Sequence, residues 1–378
     1  MDLSFSEEQL LIKESVEKFI EKDYDFDTRN KLLETEERFS RSNWKSFAEL
    51  GWLGVALPEE FGGFDGGPVE TMLVMEAFGS GMVLEPYISS VVLSGSIINL
   101  GGSAEQKKAL LPPLMEGDLL LATAFTEKEP AYAPATVSVK AEKQGDNYII
   151  NGDKVMVIDA PSADKLIVSA RTAGEATDPS GLSLFLVDAN APGITLAGYN
   201  TMDGARAANI TFANVQVSAS DLIGEAGNGY ETLSRAIELT TAALCAHAVG
   251  MMQSAYQATL DYVKTREQFG VPIGKFQVLQ HRLVDMYMAL EQARSMVYMV
   301  SIDVASNDAL TRQKAVSGAK AYVGKCARLI AQDSVQIHGG VGMTEELNVG
   351  HYFRNLTLFC NALGSTDYHL KCYAELTK

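Results

Sequence analysis

Arg266, Gln268 and Phe269 open the stretch Arg266–Gln277, Arg-Glu-Gln-Phe-Gly-Val-Pro-Ile-Gly-Lys-Phe-Gln. A fixed cation, an amide and an aromatic ring arrive together where the backbone has to turn, and Gln277 closes the stretch. A guanidinium is a planar, permanently charged donor that can hold a diphosphate in two-pronged fashion, and an adjacent ring can pack on a cofactor ring. The combination suits a phosphate-bearing cofactor. The competing reading is a solvated Arg266 beside a core Phe269. A second group of residues, Gln336-Ile-His-Gly-Gly-Val-Gly342, ends another helical segment. Gly339 and Gly340 let a ligand approach the backbone closely, and the Gln336 amide offers a donor and an acceptor to an adenine edge.

These residues need helices to carry them. Ala236–Lys264 and Val278–Val300 both repeat apolar residues at helical spacing, so the Arg266 stretch reads as the connection of a helical hairpin, with Gly270, Pro272 and Gly274 breaking both helices. At the other end of the chain, Ser6 with Gln9 makes a capping-box start, followed by helical segments at Trp44–Leu50, Val69–Phe78 and Ala104–Met115. From about Leu119 the period shortens. Leu119–Phe125, Val137–Ala141, Tyr148–Ile150, Lys154–Ile158, Leu166–Ala170, Leu182–Val187 and Asn209–Val217 read as strands, with Gln144-Gly145-Asp146-Asn147 as a hairpin turn. Gly224–Gly229 then punctuates a return to helix. Periodicity alone gives two helical regions around a β domain of roughly a hundred residues.

At 378 residues, with 47% hydrophobic and 21% charged residues, the chain has room for two or three domains and a large core. The formal net charge of −17 argues against nucleic acid or an anionic membrane as the main partner. The absence of an 18-residue apolar run and of a basic N-terminal region predicts a cytoplasmic protein without a membrane span. Cys245, Cys326, Cys360 and Cys372 sit in helical patterns without a C-x-x-C pair and read as reduced core thiols, with no metal site.

Arg266, Gln268, Phe269 and Gly270, then Gln336 with Gly339 and Gly340, resemble the two FAD-binding signatures of the acyl-CoA dehydrogenase family. The resemblance covers nearly the whole chain. It implies an α+β fold: an N-terminal helical domain (1–118), a central β domain (119–222) and a C-terminal four-helix bundle (223–378). It also implies FAD, an acyl-CoA substrate oxidised to the trans-2-enoyl thioester, and electron-transfer flavoprotein as acceptor. In that chemistry a carboxylate removes the α-proton while hydride leaves the β-carbon for the flavin.

The sequence departs from the family at both reacting ends. The usual glutamate stands directly before a Gly-Thr pair, but the matching run Ala362-Leu363-Gly364-Ser365-Thr366 holds Leu363. In the isovaleryl-type branch the base lies on the helix before the Arg-x-Gln-Phe loop, ahead of a glycine matching Gly250, and that register lands on Thr240. Glu238, two residues away, should face elsewhere, whereas His247 lies two helical turns along the same face as Thr240. On the flavin side the chain keeps Phe125-Thr126-Glu127 but continues Lys128-Glu129-Pro130-Ala131-Tyr132 in place of a Gly-Ser-Asp turn. It keeps Asn151-Gly152-Asp153-Lys154 but has Met156 where the family has a stacking Trp. The diphosphate half, which the family supplies across a dimer interface, is intact.

That asymmetry is similar to the small subunit of pimeloyl-CoA dehydrogenase and related heteromeric enzymes, and implies a second acyl-CoA dehydrogenase subunit as partner. Two further readings stay open. One is a self-sufficient homo-oligomer with a displaced base such as His247, and the other is a flavin-free scaffold of the same fold.

Overall fold

The computed structural model describes residues 4–128 and 132–378. Residues 1–3, and the part of the departure after Glu127 at 129–131, lie outside the described residues. The chain begins with α1 (Glu7–Asp23), α2 (Phe26–Leu33), α3 (Arg41–Glu49), α4 (Pro68–Gly81), a π-helical stretch Tyr87–Gly95, α5 (Ser96–Gly101) and α6 (Ala104–Met115). Strands follow as β1 (Leu121–Ala124), β2 (Lys140–Gln144), β3 (Asn147–Ile158), β4 (Lys165–Arg171), β5 (Leu182–Asp188), β6 (Ile194–Asn200), β7 (Arg206–Ser218) and β8 (Leu222–Ile223). The rest is α7 (Gly229–Thr265), the short strands β9 (Glu267–Gln268) and β10 (Val271–Pro272), then α8 (Gln277–Asp303), α9 (Ala309–His338), α10 (Asn348–Phe359) and α11 (Thr366–Leu376). Among the described residues no helix is long and apolar enough to cross a membrane.

The chain divides into two compact units, one of Leu32–Gly66 and Leu84–Thr240, the other of Met1–Lys31, Gly67–Val83 and Thr241–Lys378. The first holds a sheet in the order β6-β7-β3-β2-β4-β5-β8, with β1 pairing parallel to β4. The hairpin turn stands where the sequence places it: Gln144 pairs with Asn147 across it, and Gly145 is left-handed at φ 61°. The two strands expected at Tyr148–Ile150 and Lys154–Ile158 are one, β3, paired with β7 through two irregularities in register. Gly152, at φ 133°, sits between them and breaks the alternation that would mark a single strand. β2 begins at Lys140, later than the Val137 start that the apolar run suggests. β6 was not foreseen because it is an edge strand with six of its seven residues exposed, so it carries no inward and outward alternation.

In the other unit the core is helical. α1 packs on α4, and α9 packs on α8, α10 and α11. The tightest approach is between α4 and α7, because a Cβ on Gly79 would stand 2.0 Å from the His247 carbonyl oxygen and one on Gly250 only 1.9 Å from that of Glu76. No side chain fits at either position. Cys245, Cys326 and Cys360 are buried free thiols, whereas Cys372, expected in the core, is only half-buried because it lies on α11 near the chain end.

Candidate functional site

After α7 the chain reverses through β9 and β10, with Gln268 opposite Val271 and Glu267 opposite Pro272. Phe269 and Gly270 form the two-residue tip at φ 57° and 81°, the left-handed pair that a type I′ turn requires. Glycine adopts this freely; phenylalanine does not. The Phe269 ring is 92% exposed and meets Phe276 edge-on at 6.1 Å, so the reading of Phe269 as a core residue is wrong. A hairpin of two residues per strand has no interior to bury it in. The base of the hairpin is tied by backbone bonds, Arg266 N–H to the Tyr262 carbonyl and Ile273 N–H to the Arg266 carbonyl, both 2.8 Å. The Arg266 guanidinium is exposed and makes no hydrogen bond or ion pair among the described residues. Gln268 donates to its neighbour Glu267 at 2.8 Å, and Gln277 opens α8 with its side chain in solvent.

The second group lies at the end of α9. Gly339 caps the helix at φ 68°, ψ −146°, a conformation open in practice to glycine alone. Around Gly339 and Gly340 a Cβ would meet nothing within 4 Å, but at Gly342 it would stand 2.8 Å from the His338 Cβ. The first two glycines therefore leave an open face, and the third serves packing. Gln336 is exposed on the last turn of α9. The structure brings the two groups together through residues that the sequence reading did not single out. Tyr262 and His338 stack with ring centroids 4.2 Å apart and planes 25° from parallel. Each is adjacent to a motif, Tyr262 one turn before Arg266 and His338 directly before Gly339, and that adjacency was the available signal.

A guanidinium exposed and unpaired among the described residues, the exposed amides of Gln277 and Gln336 and an open glycine turn fit the anionic and adenine end of a dinucleotide such as FAD.

In the β unit, Thr126-Glu127 and Asn151–Lys154 prove to be one structural device. The Lys154 ammonium is fully buried and donates to Glu127 Oε1 at 2.8 Å and to Ser169 Oγ at 2.9 Å. Glu127 also accepts from the backbone N–H groups of Ser138 and Val139 at 2.8 and 3.1 Å. Burial pushes Lys154 down to about 8 against the pull of Glu127. Burial works to raise the Glu127 carboxyl, but the Lys154 charge and these hydrogen bonds outweigh it and hold it below its ordinary range. Met156 follows at a bulge, φ 54° and 46% exposed, its N–H bonded to Asn209 Oδ1 at 3.1 Å. A thioether there offers no ring face to a planar cofactor.

The two positions that the resemblance assigns to the base, Leu363 and Thr240, hold no acid. Leu363 stands at φ 51° in the turn after α10, and its carbonyl accepts from His369 Nε2 at 2.8 Å. The next carbonyl, of Gly364, and that of Phe359 accept from the fully buried Lys320 ammonium at 3.0 and 2.9 Å, which also sits 4.4 Å from the centre of the Phe359 ring. Lys320 went unnoticed in the sequence because α9 reads as an ordinary amphipathic helix. Thr240 is buried with its hydroxyl donating back to the Ala236 carbonyl at 2.7 Å, and Glu238 pairs with Arg235 at 3.3 Å. His247 is pushed down to about 4 by burial and by the Arg29 guanidinium, so proton uptake there is opposed by a fixed cation.

Family models for the acyl-CoA dehydrogenase N-terminal, middle and C-terminal domains match residues 6–118, 122–215 and 227–376. The chain is 31% identical over 368 residues to the mitochondrial isovaleryl-CoA dehydrogenase of Pongo abelii, a match covering 96% of this chain and 86% of that one. Among solved structures it is similar to a chain of the ChsE4-ChsE5 complex from Mycobacterium tuberculosis, with TM-score 0.90, 26% identity and coverage of 99% and 98%. It is also similar to the FAD complex of PigA, with TM-score 0.91, 27% identity and the same coverage. The fold and the site thus define a flavoprotein oxidoreductase acting on a CH–CH bond, with FAD as cofactor. The chain belongs to the acyl-CoA dehydrogenase family.

Proposed function

We propose that this chain is the partner subunit of a heteromeric acyl-CoA dehydrogenase, holding the diphosphate and adenosine end of an FAD whose reacting ring is served by a second, catalytically complete chain. Arg266 and Gln268 face the diphosphate, Phe269 and Gln277 flank it, and Gln336 with Gly339 and Gly340 receives the adenosine. When bound, FAD supplies the hydride acceptor for oxidation of an acyl-CoA to a trans-2-enoyl-CoA, with electron-transfer flavoprotein as the onward acceptor. This chain's residues bind and orient. The single observation that carries the reading is the pair Leu363 and Thr240: both base positions are filled by side chains that cannot take a proton from an α-carbon, and both are built into hydrogen-bonded structure. We take 1–118, 119–222 and 223–378 as the domain limits and the cytoplasm as the compartment.

The surface around the hairpin supports a partner. Phe269, Val278, Val284, Tyr287 and Met288, large apolar groups on the hairpin and α8, are each half or more exposed. An apolar surface of this kind marks an interaction site, and obligate interfaces usually exceed about 2,000 Å². The partner should carry what this chain lacks: a Gly-Ser-Asp turn after Thr-Glu, a stacking Trp after Asn-Gly-x-Lys, and a carboxylate base. The test is to purify the chain alone and with the product of its genomic neighbour, measuring flavin per chain and enoyl-CoA formation. An αβ dimer or α₂β₂ tetramer with fewer flavins than chains is the expected result. A homotetramer holding one FAD per chain and oxidising acyl-CoA unaided would reject the reading, as would turnover restored to the lone chain by Leu363→Glu.

A further inference from the structure

The ends of the two helices that carry the motif loops meet through ring faces, Tyr262 against His338. Tyr262 lies on the last turn of α7, and its carbonyl receives the Arg266 N–H at 2.8 Å, so the ring and the hairpin base belong to the same turn. His338 is the last residue of α9, and Gly339 begins the open turn directly after it. The two rings lie 4.2 Å apart and 25° from parallel. The His338 ring is itself held. Its Nδ1 lies 2.8 Å from the Ser334 carbonyl oxygen, which sets the tautomer with Nδ1–H donating and stops the ring from rotating. Gly342 packs against the His338 Cβ so closely that no side chain fits between them. The Tyr262 hydroxyl reaches the His338 carbonyl only at 3.4 Å, too long for a strong hydrogen bond, so the ring face makes the contact.

We propose that the Tyr262–His338 stack is a positioning pair: it sets the separation between the Arg266 hairpin and the Gly339-Gly340 turn, and through that separation the affinity of this chain for FAD. The inference rests on the flavin assignment made above. The groups that would face the ligand do not set this distance themselves, because among the described residues the Arg266 guanidinium makes no hydrogen bond or ion pair, the Gln268 side chain bonds to its neighbour Glu267, and Gly339 and Gly340 stand open. A ligand gripped at two points binds tightly when those points are already at the right spacing, and loses that advantage when it must order them. An aliphatic residue in place of either ring removes the flat contact that defines the spacing.

The test uses the complex of this chain with its catalytic partner, stripped of flavin and titrated with FAD while flavin fluorescence is followed; the melting midpoint of the flavin-free complex is measured alongside. Tyr262→Leu should raise the Kd for FAD about fivefold to tenfold, the size expected for a lost aromatic pair. Tyr262→Phe, which keeps the ring and loses the hydroxyl, should stay close to wild type. If Tyr262→Leu does not fold, His338→Leu and His338→Phe are read by the same criterion, since Phe preserves the ring face and the Cβ that Gly342 packs on. A Tyr262→Leu complex that melts earlier but binds FAD as wild type does would make the stack merely structural and overturn the proposal. So would Tyr262→Phe if it weakens binding as much as Tyr262→Leu. Arg266→Ala separates the two levels. If it weakens FAD and the stack variants do not, the flavin assignment stands and the positioning role falls; if the wild-type complex takes up no FAD, both fall.

Discussion

Arg266 carries its charge into solvent without a carboxylate partner among the described residues, although acidic residues outnumber basic ones in the chain by 48 to 31. Beside it Phe269 occupies a backbone conformation that costs a non-glycine residue free energy, of order 1–3 kcal/mol. Unpaired charge and backbone strain at one hairpin are intelligible when a phosphate ligand repays them. Arg266→Ala should therefore weaken FAD binding about ten- to a hundredfold, corresponding to roughly 1.5–3 kcal/mol for a charge-assisted contact, and leave the fold intact. Retention of flavin through dialysis equal to that of wild type would contradict it. Gly340→Ala tests the open turn by another route. A methyl group there meets nothing within 4 Å, so the melting midpoint should hold while FAD affinity falls. An unchanged affinity would mean that no ligand approaches that face.

The elements depend on two devices that no ligand touches. α4 and α7 cross at Gly79 and Gly250 at a distance that excludes even a methyl group. Gly250→Ala should force the helices apart and destabilise the chain by the upper end of the roughly 1–3 kcal/mol range for overpacking, or more. Thermal or denaturant unfolding measures it, and a variant as stable as wild type would show that the crossing is looser than described. The second device is the buried Lys320, which ties α9 to the turn at Leu363 and Gly364 through two carbonyls. Burial lowers its pKa, so its ammonium is held in place by those carbonyls and the Phe359 ring rather than by water. Replacing it with methionine would leave the Gly364 carbonyl without its donor in the interior, while the Phe359 carbonyl keeps the Ala362 N–H at 3.2 Å, and that buried vacancy is a larger loss than the charge alone.

Taken over the whole molecule, the buried histidines govern the response to pH. His247, His351 and His369 are each pushed down to about 4, burial being the largest cause in every case. The unfolded chain, with histidine near its ordinary 6.5, binds more protons than the folded chain between about pH 4 and 6.5. Stability from these groups is therefore fully present above 6.5 and is lost as the pH falls towards 4. Asp159 has the opposite sign. Burial raises it to about 7, so across roughly pH 4 to 7 the folded chain binds the extra proton and stability declines as the pH rises. Three groups outweigh one. The melting midpoint should fall between pH 7 and pH 5, and His369→Gln, at a ring whose Nδ1 is buried without a hydrogen-bond partner, should flatten that slope. A midpoint that is level or rises towards pH 5 would refute the argument.

The sequence by itself determined the order of helix, sheet and helix, and its resemblance to the acyl-CoA dehydrogenase family pointed to two candidate cofactor motifs and to base positions without an acid. The element order is written in local periodicity, as in the repeats of α7 and α8, whereas the Arg-x-Gln-Phe and Gly-Gly spacings and the leucine and threonine at the expected base positions take their meaning from the family resemblance. What only the tertiary structure decided depends on contacts between residues distant in the chain. The edge strand β6 has no pattern of its own, and β3 reads as two strands until β7 pairs along its length. Thr126-Glu127 and Asn151–Lys154 read as fragments of a flavin site until Lys154 is seen buried against Glu127. Phe269 could be a core ring or a surface one, since an aromatic after a turn is compatible with both; the left-handed tip decides for solvent. Tyr262 and His338 are 76 residues apart, and no local rule relates them. Their stacking is a consequence of how α7 and α9 end side by side, which is a property of helix packing and not of spacing along the chain.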